Sequence, residues 1–287
     1  MLKRIALLLA VLPLHCGAAV DVLSMWDFAR PEVSEARFRE ATKTATADDA
    51  AILQTQIART YGLRRRFDEA RALLAELQPR LAGLSPEAQV RYHLELGRTH
   101  ASATHRAQDQ APQSREIARA AFLKATELAR ANRLDYLAVD ALHMMAFVHA
   151  EEAENLKWTQ QALDEMLKSS QPDARKWETS LRNNIGYSMH KLQRYDEALA
   201  MFQANIPALE KTGNARRVRI GHWMVAWTLR AMGRLDEAIA IQLRLEQENA
   251  AAGAPDQYVF EELKALYEMK GDADKARHYA ALHAAHK

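Results

Sequence analysis

The chain has 287 residues, 39 of them basic and 37 acidic, with 48% hydrophobic content and one cysteine. That hydrophobic fraction excludes a disordered chain. The scarcity of Gly and Pro (10 and 8 copies), beside abundant Ala, Leu, Glu, Arg and Gln, points to helices. Two basic residues, Lys3 and Arg4, lie in a leader-like segment. Without them the formal charge of +2 falls to zero, so no overall field would draw nucleic acid or an anionic membrane.

Residues 1–19 read as a signal peptide. Met1 to Arg4 is basic, Ile5 to Leu14 is an apolar run, and Gly17-Ala18-Ala19 offers small residues for cleavage before Val20. The run is too short to span a bilayer as a permanent helix, and no later segment is long and apolar enough to do so. The expectation is an exported, periplasmic protein, with lipid anchoring through Cys16 or secretion as alternatives. Pro13 and His15 depart from a lipoprotein pattern, and cleavage before Val20 would leave no cysteine in the mature chain.

Residues 20–44 form a capping segment. Glu32 to Thr44 reads as one helix with Pro31 near its start, and Trp26 and Phe28 are placed to cover an exposed end. From residue 45 to residue 287 the chain repeats itself. Phe67-Asp68-Glu69-Ala70 recurs as Tyr195-Asp196-Glu197-Ala198 and Leu235-Asp236-Glu237-Ala238, and more weakly as Ala273-Asp274-Lys275-Ala276. Twelve residues before each final Ala stand Ala58, Gly186, Ala226 and the exception Lys264. Two further copies fill the middle. One has Gly97, Ala118 and Phe122, with its helices separated by a long insert, His105 to Pro112. The other has Ala146, with Trp158 where Ala is expected. Small residues at paired positions let two helices approach where they cross, and acids in the first turn of the second helix suit its positive end. Gly233 and Gly271 are placed to end first helices in the left-handed conformation. Pro207 falls inside a second helix and predicts a kink or an early end.

This pattern resembles the tetratricopeptide repeat (TPR) family, over six repeats covering residues 45–287. The resemblance implies an all-α fold: a right-handed superhelical solenoid of stacked antiparallel helix hairpins. The repeated Ala positions at 70, 118, 158, 198, 238 and 276 are mostly 40 residues apart, against about 34 in the standard repeat. Six extra residues lengthen the helices by about 9 Å and deepen the groove. Such extended repeats are similar to those of TPR adaptors and of peptide-sensing bacterial regulators.

In TPR arrays the first helix of each hairpin lines the concave face. By that resemblance the groove carries Arg59, Arg91, Arg98 and Ala101, then Asp140, His143 and Phe147, then Asn183, Tyr187 and His190. Trp223, Trp227 and Arg230 follow, and Tyr258, Glu261 and Glu268 end it. The binding candidates are Arg59, Arg98, His143, Asn183, Tyr187, His190, Trp223, Trp227, Arg230 and Glu261. Charge along the groove runs from basic through amide and aromatic to acidic. Trp223 and Trp227 form an i, i+4 pair that serves either as a binding anchor or as packing against the next helix. Asn184 occupies one position of the family's carboxylate clamp, but His143, Phe147, Ile220 and Met224 stand where the other clamp residues belong, so that mode is not expected.

No H-E-x-x-H, Walker loop, nucleophile elbow or C-x-x-C is present. His143, His149, Glu151 and Glu152 fit no zinc spacing. His278, His283 and His286 read as a solvated tail, and Arg64-Arg65-Arg66 as a wet turn. The expectation is therefore a non-catalytic scaffold or adaptor that binds a protein or peptide segment, without cofactor, metal or nucleic acid. A sensor that changes superhelical pitch on binding a small ligand or peptide is the alternative, and a metal-dependent or hydrolytic enzyme comes last. An exposed end of the array also leaves room for a homo-oligomer.

Overall fold

A computed structural model describes residues 20–106 and 110–286. The signal-peptide reading of residues 1–19 lies outside the described residues. Every regular element among the described residues is helical. After α1 (Pro31–Thr42), six hairpins follow in chain order. They are α2 (Ala47–Leu63) with α3 (Phe67–Ala75), α4 (Pro86–Arg98) with α5 (Pro112–Ala131), and α6 (Asp135–Met144) with α7 (Glu152–Lys168). Then come α8 (Glu178–Lys191) with α9 (Tyr195–Lys211), α10 (Ala215–Ala231) with α11 (Leu235–Ala251), and α12 (Gln257–Lys270) with α13 (Ala273–Ala285). Each helix packs mainly on its neighbours in sequence, and the first helices of successive hairpins also meet. The result is an all-α solenoid. No described helix is long and apolar enough to cross a membrane.

Local chemistry explains where helices start and stop. Thr46 caps α2 by accepting from the Asp49 N–H at 3.2 Å, and Asn214 and Asp272 do the same for α10 and α13. The second helices α3, α9 and α11 open with Asp-Glu, and the residue before each is an arginine. Arg194 and Arg234 pair with Glu197 and Glu237 at 2.6 and 2.7 Å, and Arg66 pairs with Glu69 in the same way. Gly233 and Gly271 adopt φ of 74° and 76° at the hairpin turns, where glycine carries no Cβ penalty. Arg65, Arg133 and Gln193 hold the same left-handed backbone at other turns, with φ of 62°, 55° and 60°.

The crossings are tight where small residues were expected. A Cβ built on Gly186 would lie 2.6 Å from Phe202 Cε1, and one on Gly97 2.3 Å from Phe122 Cε1. Phe122 and Phe202 are fully buried and fill the space that the glycines leave. Helices α9, α10 and α11 each run 17 residues, so the long repeat period is spent on helix length.

Two expectations need correction. Helix α9 does not end early at Pro207 but runs through it to Lys211. Pro207 and Gln203, whose carbonyl loses its helical partner, both face solvent, so water can take up the freed acceptor. The copy centred on Ala146 is not a regular hairpin. Helix α6 stops at Met144, Met145–Phe147 forms a 3-10 turn, and buried Met145 and Val148 hold the chain off the helix axis before α7. Trp158 does not replace a crossing Ala. It lies half-buried where two apolar clusters meet.

The core divides into three such clusters. One runs from Val22 to Tyr92, one from Val90 to Val148, and the largest from Val139 to Tyr279. Trp26 packs on the first of these. It stacks on Phe28 at 4.7 Å, meets Phe38 edge-on at 5.1 Å, and donates its indole N–H to Gln56 at 3.1 Å.

Candidate functional site

The first helices α2, α4, α6, α8, α10 and α12 share one face of the array, and side chains link each of these helices to the next. Arg98 on α4 donates to Glu95 at 2.5 Å and to Asp140 on α6. Asn184 on α8 meets His143 on α6 at 2.9 Å. His190 on α8 meets Thr228 on α10 at 3.2 Å, and Arg230 on α10 grips Glu262 on α12 through two bonds of 2.6 and 2.9 Å. Trp223 donates to the Tyr258 carbonyl at 3.2 Å.

At the N-terminal end, three of the predicted residues converge. Arg59, Arg98 and His143 line one cavity of about 170 Å³, together with Glu95. Arg98, Glu95 and Asp140 are all buried. Arg59 stands 3.7 Å from Glu95 and 3.8 Å from Asp140, and 5.6 Å above the rings of Trp26 and Phe28. Burial and the neighbouring Arg98 push the Arg59 guanidinium below its ordinary value, although a guanidinium keeps its proton in a protein. Burial opposes the Asp140 charge, but the two arginines outweigh it and hold that carboxyl below the usual range. Burial pushes the His143 imidazole down to about 4, so it is neutral at pH 7. The Asn184 amide meets the ring at Nε2 and fixes its orientation.

The middle and C-terminal part is aromatic. Trp227 stacks on His190 at 3.3 Å, on Tyr187 at 5.9 Å and on Trp223 at 6.0 Å. Tyr187 is 44% exposed, and Ile220 and Tyr258 nearby are 43% and 56% exposed. Burial, with Arg230 and Lys191 close by, pushes His190 down to about 4. Asn183 lines a separate cavity of about 200 Å³ with Thr179, Asn205 and Arg217, between α8, α9 and α10.

The structure therefore brings together Arg59, Arg98 and His143 at one end, and Tyr187, His190, Trp223 and Trp227 at the other. Arg230 is held by Glu262 through two bonds, one from Nε and one from Nη2. Glu261 is exposed and lies outside that pair, because the buried face of α12 passes through Glu262. Ala101, expected in the groove, is fully buried in the middle cluster. Reading by fixed groove positions also missed Gln56, Glu95 and Glu262. Each stands two residues before Ala58, Gly97 or Lys264, the slot that Asn184 holds before Gly186. A polar residue recurring in that slot was the signal available. Among the described residues no group of three or more His, Cys, Asp or Glu is arranged to hold a metal.

No family model and no curated protein matches this sequence. Solved structures do match. A signal-transduction ATPase with numerous domains from Pyrococcus horikoshii, carrying a tetratricopeptide repeat sensor, superposes with a TM-score of 0.67 at 13% identity over 88% of this chain. The apo form of RapI gives 0.68 at 8% identity over 88% of this chain and 69% of that one. The fold is TPR-like. A Rap protein complexed with Competence and Sporulation Factor gives 0.54 at 12% identity, covering 88% of this TPR-like chain and 70% of its own. The chain spans 38% of the length of the signal-transduction ATPase. At these identities the likeness establishes the TPR-like architecture expected from the repeats, and that alone.

Proposed function

We propose that this chain is a non-catalytic scaffold or adaptor that binds a peptide or protein segment along the face formed by its first helices. The observation that carries this reading is the aromatic ladder of Tyr187, His190, Trp227 and Trp223, with Ile220 and Tyr258 exposed beside it. Rigid aromatic faces next to an exposed aliphatic patch bury large apolar area at small entropic cost. A Rap protein of similar fold has been seen in complex with Competence and Sporulation Factor, which supports a binding role for this fold. Display selection of random peptides against the purified chain should enrich binders, and Tyr187→Ala or Trp223→Ala should weaken them by about tenfold or more. Failure to enrich any peptide, or enriched peptides that bind both variants normally, would sink the reading.

Export is the proposed setting, supported by the basic, apolar and small-residue order of residues 1–19. Intact-mass analysis of the protein from its native host should show a chain beginning at Val20. A chain retaining residues 1–19 without lipid would contradict it. A second reading, a sensor of small ligands, is favoured by one observation, the incompletely bonded charges around Arg59.

A further inference from the structure

Arginines along the first helices usually come with an acid. Arg91 pairs with Glu87 at 2.8 Å, Arg182 with Glu178 at 3.0 Å and Arg230 with Glu262 at 2.6 Å. The start of α10 breaks that habit. Arg216, Arg217 and Arg219 stand among its first five residues, its first turn holds no acid, and Ala215 occupies the place four before Arg219. None of the three guanidinium groups has a hydrogen bond or ion pair with a described residue. Arg216 and Arg217 are exposed and Arg219 is half-buried. Cations at the positive end of a helix are unfavourable, and a sequence keeps such a local conflict chiefly where function uses it.

The surface beside these arginines is amphipathic. Arg216 and Arg219 edge a cavity of about 330 Å³ between α10, α11 and α12, with Ile220, Trp223, Met224 and Tyr258 on its wall. The Trp223 indole closes one side by donating to the Tyr258 carbonyl at 3.2 Å. Across Ile220, Arg217 edges the cavity of about 200 Å³ that Thr179, Ser180 and Asn183 line. Ile220 belongs to both, so the two cavities adjoin. Asp256 is the one acid among the described residues lining them, and its carboxylate is engaged in capping α12, accepting from the Tyr258 N–H at 3.0 Å. Three positive charges thus face one negative.

A guest that complements this surface brings negative charge and a large apolar group side by side. A water needs about 10–15 Å³ of such space, so the apolar cavity has room for a leucine or aromatic side chain. The amide and hydroxyl side chains on the other flank suit main-chain N–H and C=O groups, which a peptide offers at every residue and a lipid tail does not. We propose that this trough binds an acidic peptide segment, with a large apolar side chain in the cavity beside Trp223 and Asp or Glu residues flanking it against Arg216, Arg217 and Arg219. The proposal rests on the first-helix face being a peptide groove and adds the chemistry of the partner.

Fluorescence polarisation on the purified chain tests this with short labelled peptides. Each carries a central leucine, phenylalanine or tryptophan flanked on both sides by aspartate, and is measured beside the same peptide flanked by asparagine or by lysine. At least one aspartate peptide should bind with Kd below about 100 μM, and its asparagine and lysine forms about tenfold or more weakly. Arg216→Gln with Arg217→Gln, both at exposed side chains, should weaken that binding by about tenfold with the helical signal retained. Arg216→Glu with Arg217→Glu should turn the preference toward the lysine peptides. Arg80→Gln, between α3 and α4, should change nothing. No binding by any aspartate peptide at about 1 mM overturns the proposal, as does a preference unmoved by the charge reversal. Equal binding of aspartate and asparagine peptides overturns it while leaving the peptide groove standing. Arg216-dependent binding of phosphatidylglycerol vesicles, without binding of the aspartate peptides, would assign the surface to lipid and overturn it too.

Discussion

Arg98 holds one oxygen of Glu95 and one of Asp140, and all three side chains are buried. Removing one partner of a buried charge group leaves the others uncompensated, which is costlier than the group was worth. Arg98→Met should therefore lower unfolding free energy by roughly 3–5 kcal/mol in urea titration. Arg59→Gln should cost distinctly less, because Arg59 makes no hydrogen bond that would be lost. His143 gives a pH signature. Its folded value is depressed to about 4 by burial, against about 6.5 in the unfolded chain. The unfolded state therefore takes up the proton first. The stability is fully present above pH 6.5 and is lost as pH falls toward 4, by on the order of 2 kcal/mol at pH 5. Thermal melts of His143→Gln should show a shallower decline between pH 6.5 and 5 than the parent, and equal slopes would refute the assignment. Arg59, Arg98 and His143 were legible from repeat position. Glu95 and Glu262 were not, because the groove positions taken over from the family skip the slot they occupy.

Hairpins whose second helix opens with Asp-Glu-Ala were legible as helix pairs because several local signals coincide there. Small crossing residues, acids in the first turn and an aliphatic or aromatic residue before them all agree. At α8–α9 the fit can be probed directly. A Cβ at Gly186 would press on the Phe202 ring, which is buried and cannot swing away. Gly186→Ala should destabilise by about 1–3 kcal/mol in chemical denaturation, despite alanine's better helix propensity. Adding Phe202→Leu should recover part of that loss, and strict additivity of the two changes would argue against contact. The α6–α7 hairpin was misread because Ala146 matched a spacing but not a burial pattern. Its neighbours Met145 and Val148 are the buried residues, and tertiary packing overrode helical continuation. Of the kink or early end expected at Pro207, the early end does not occur, and the carbonyl freed there faces water.

Across the whole molecule each hairpin touches mainly its neighbours, and the buried apolar side chains fall into three clusters instead of one. Such arrays unfold by segments, with stability roughly a sum of repeat and interface terms. Hydrogen exchange read by mass spectrometry should give the amides of α1 to α3, on the smaller N-terminal cluster, opening free energies about 1 kcal/mol or more below those of α8 to α12. A single value throughout would refute segmental unfolding. The solenoid was legible because repetition is a whole-chain signal. The cavity lined by Arg59, Arg98 and His143 was not, because it depends on how residues 102–104 come back against α2 after a connection of unusual length.

The left-handed turns at Arg133 and Gln193 carry a practical corollary. Both side chains face water, and both backbones sit where a Cβ crowds the carbonyl oxygen, a strain of about 1–2 kcal/mol per residue. Glycine at either site would relieve that strain and give back some of the gain through a floppier unfolded chain. Anyone seeking a hardier version of this protein for crystallisation can begin at these two corners, with Arg133 first, because the Gln193 N–H bonds the carbonyl of His190 and so abuts the stacked rings.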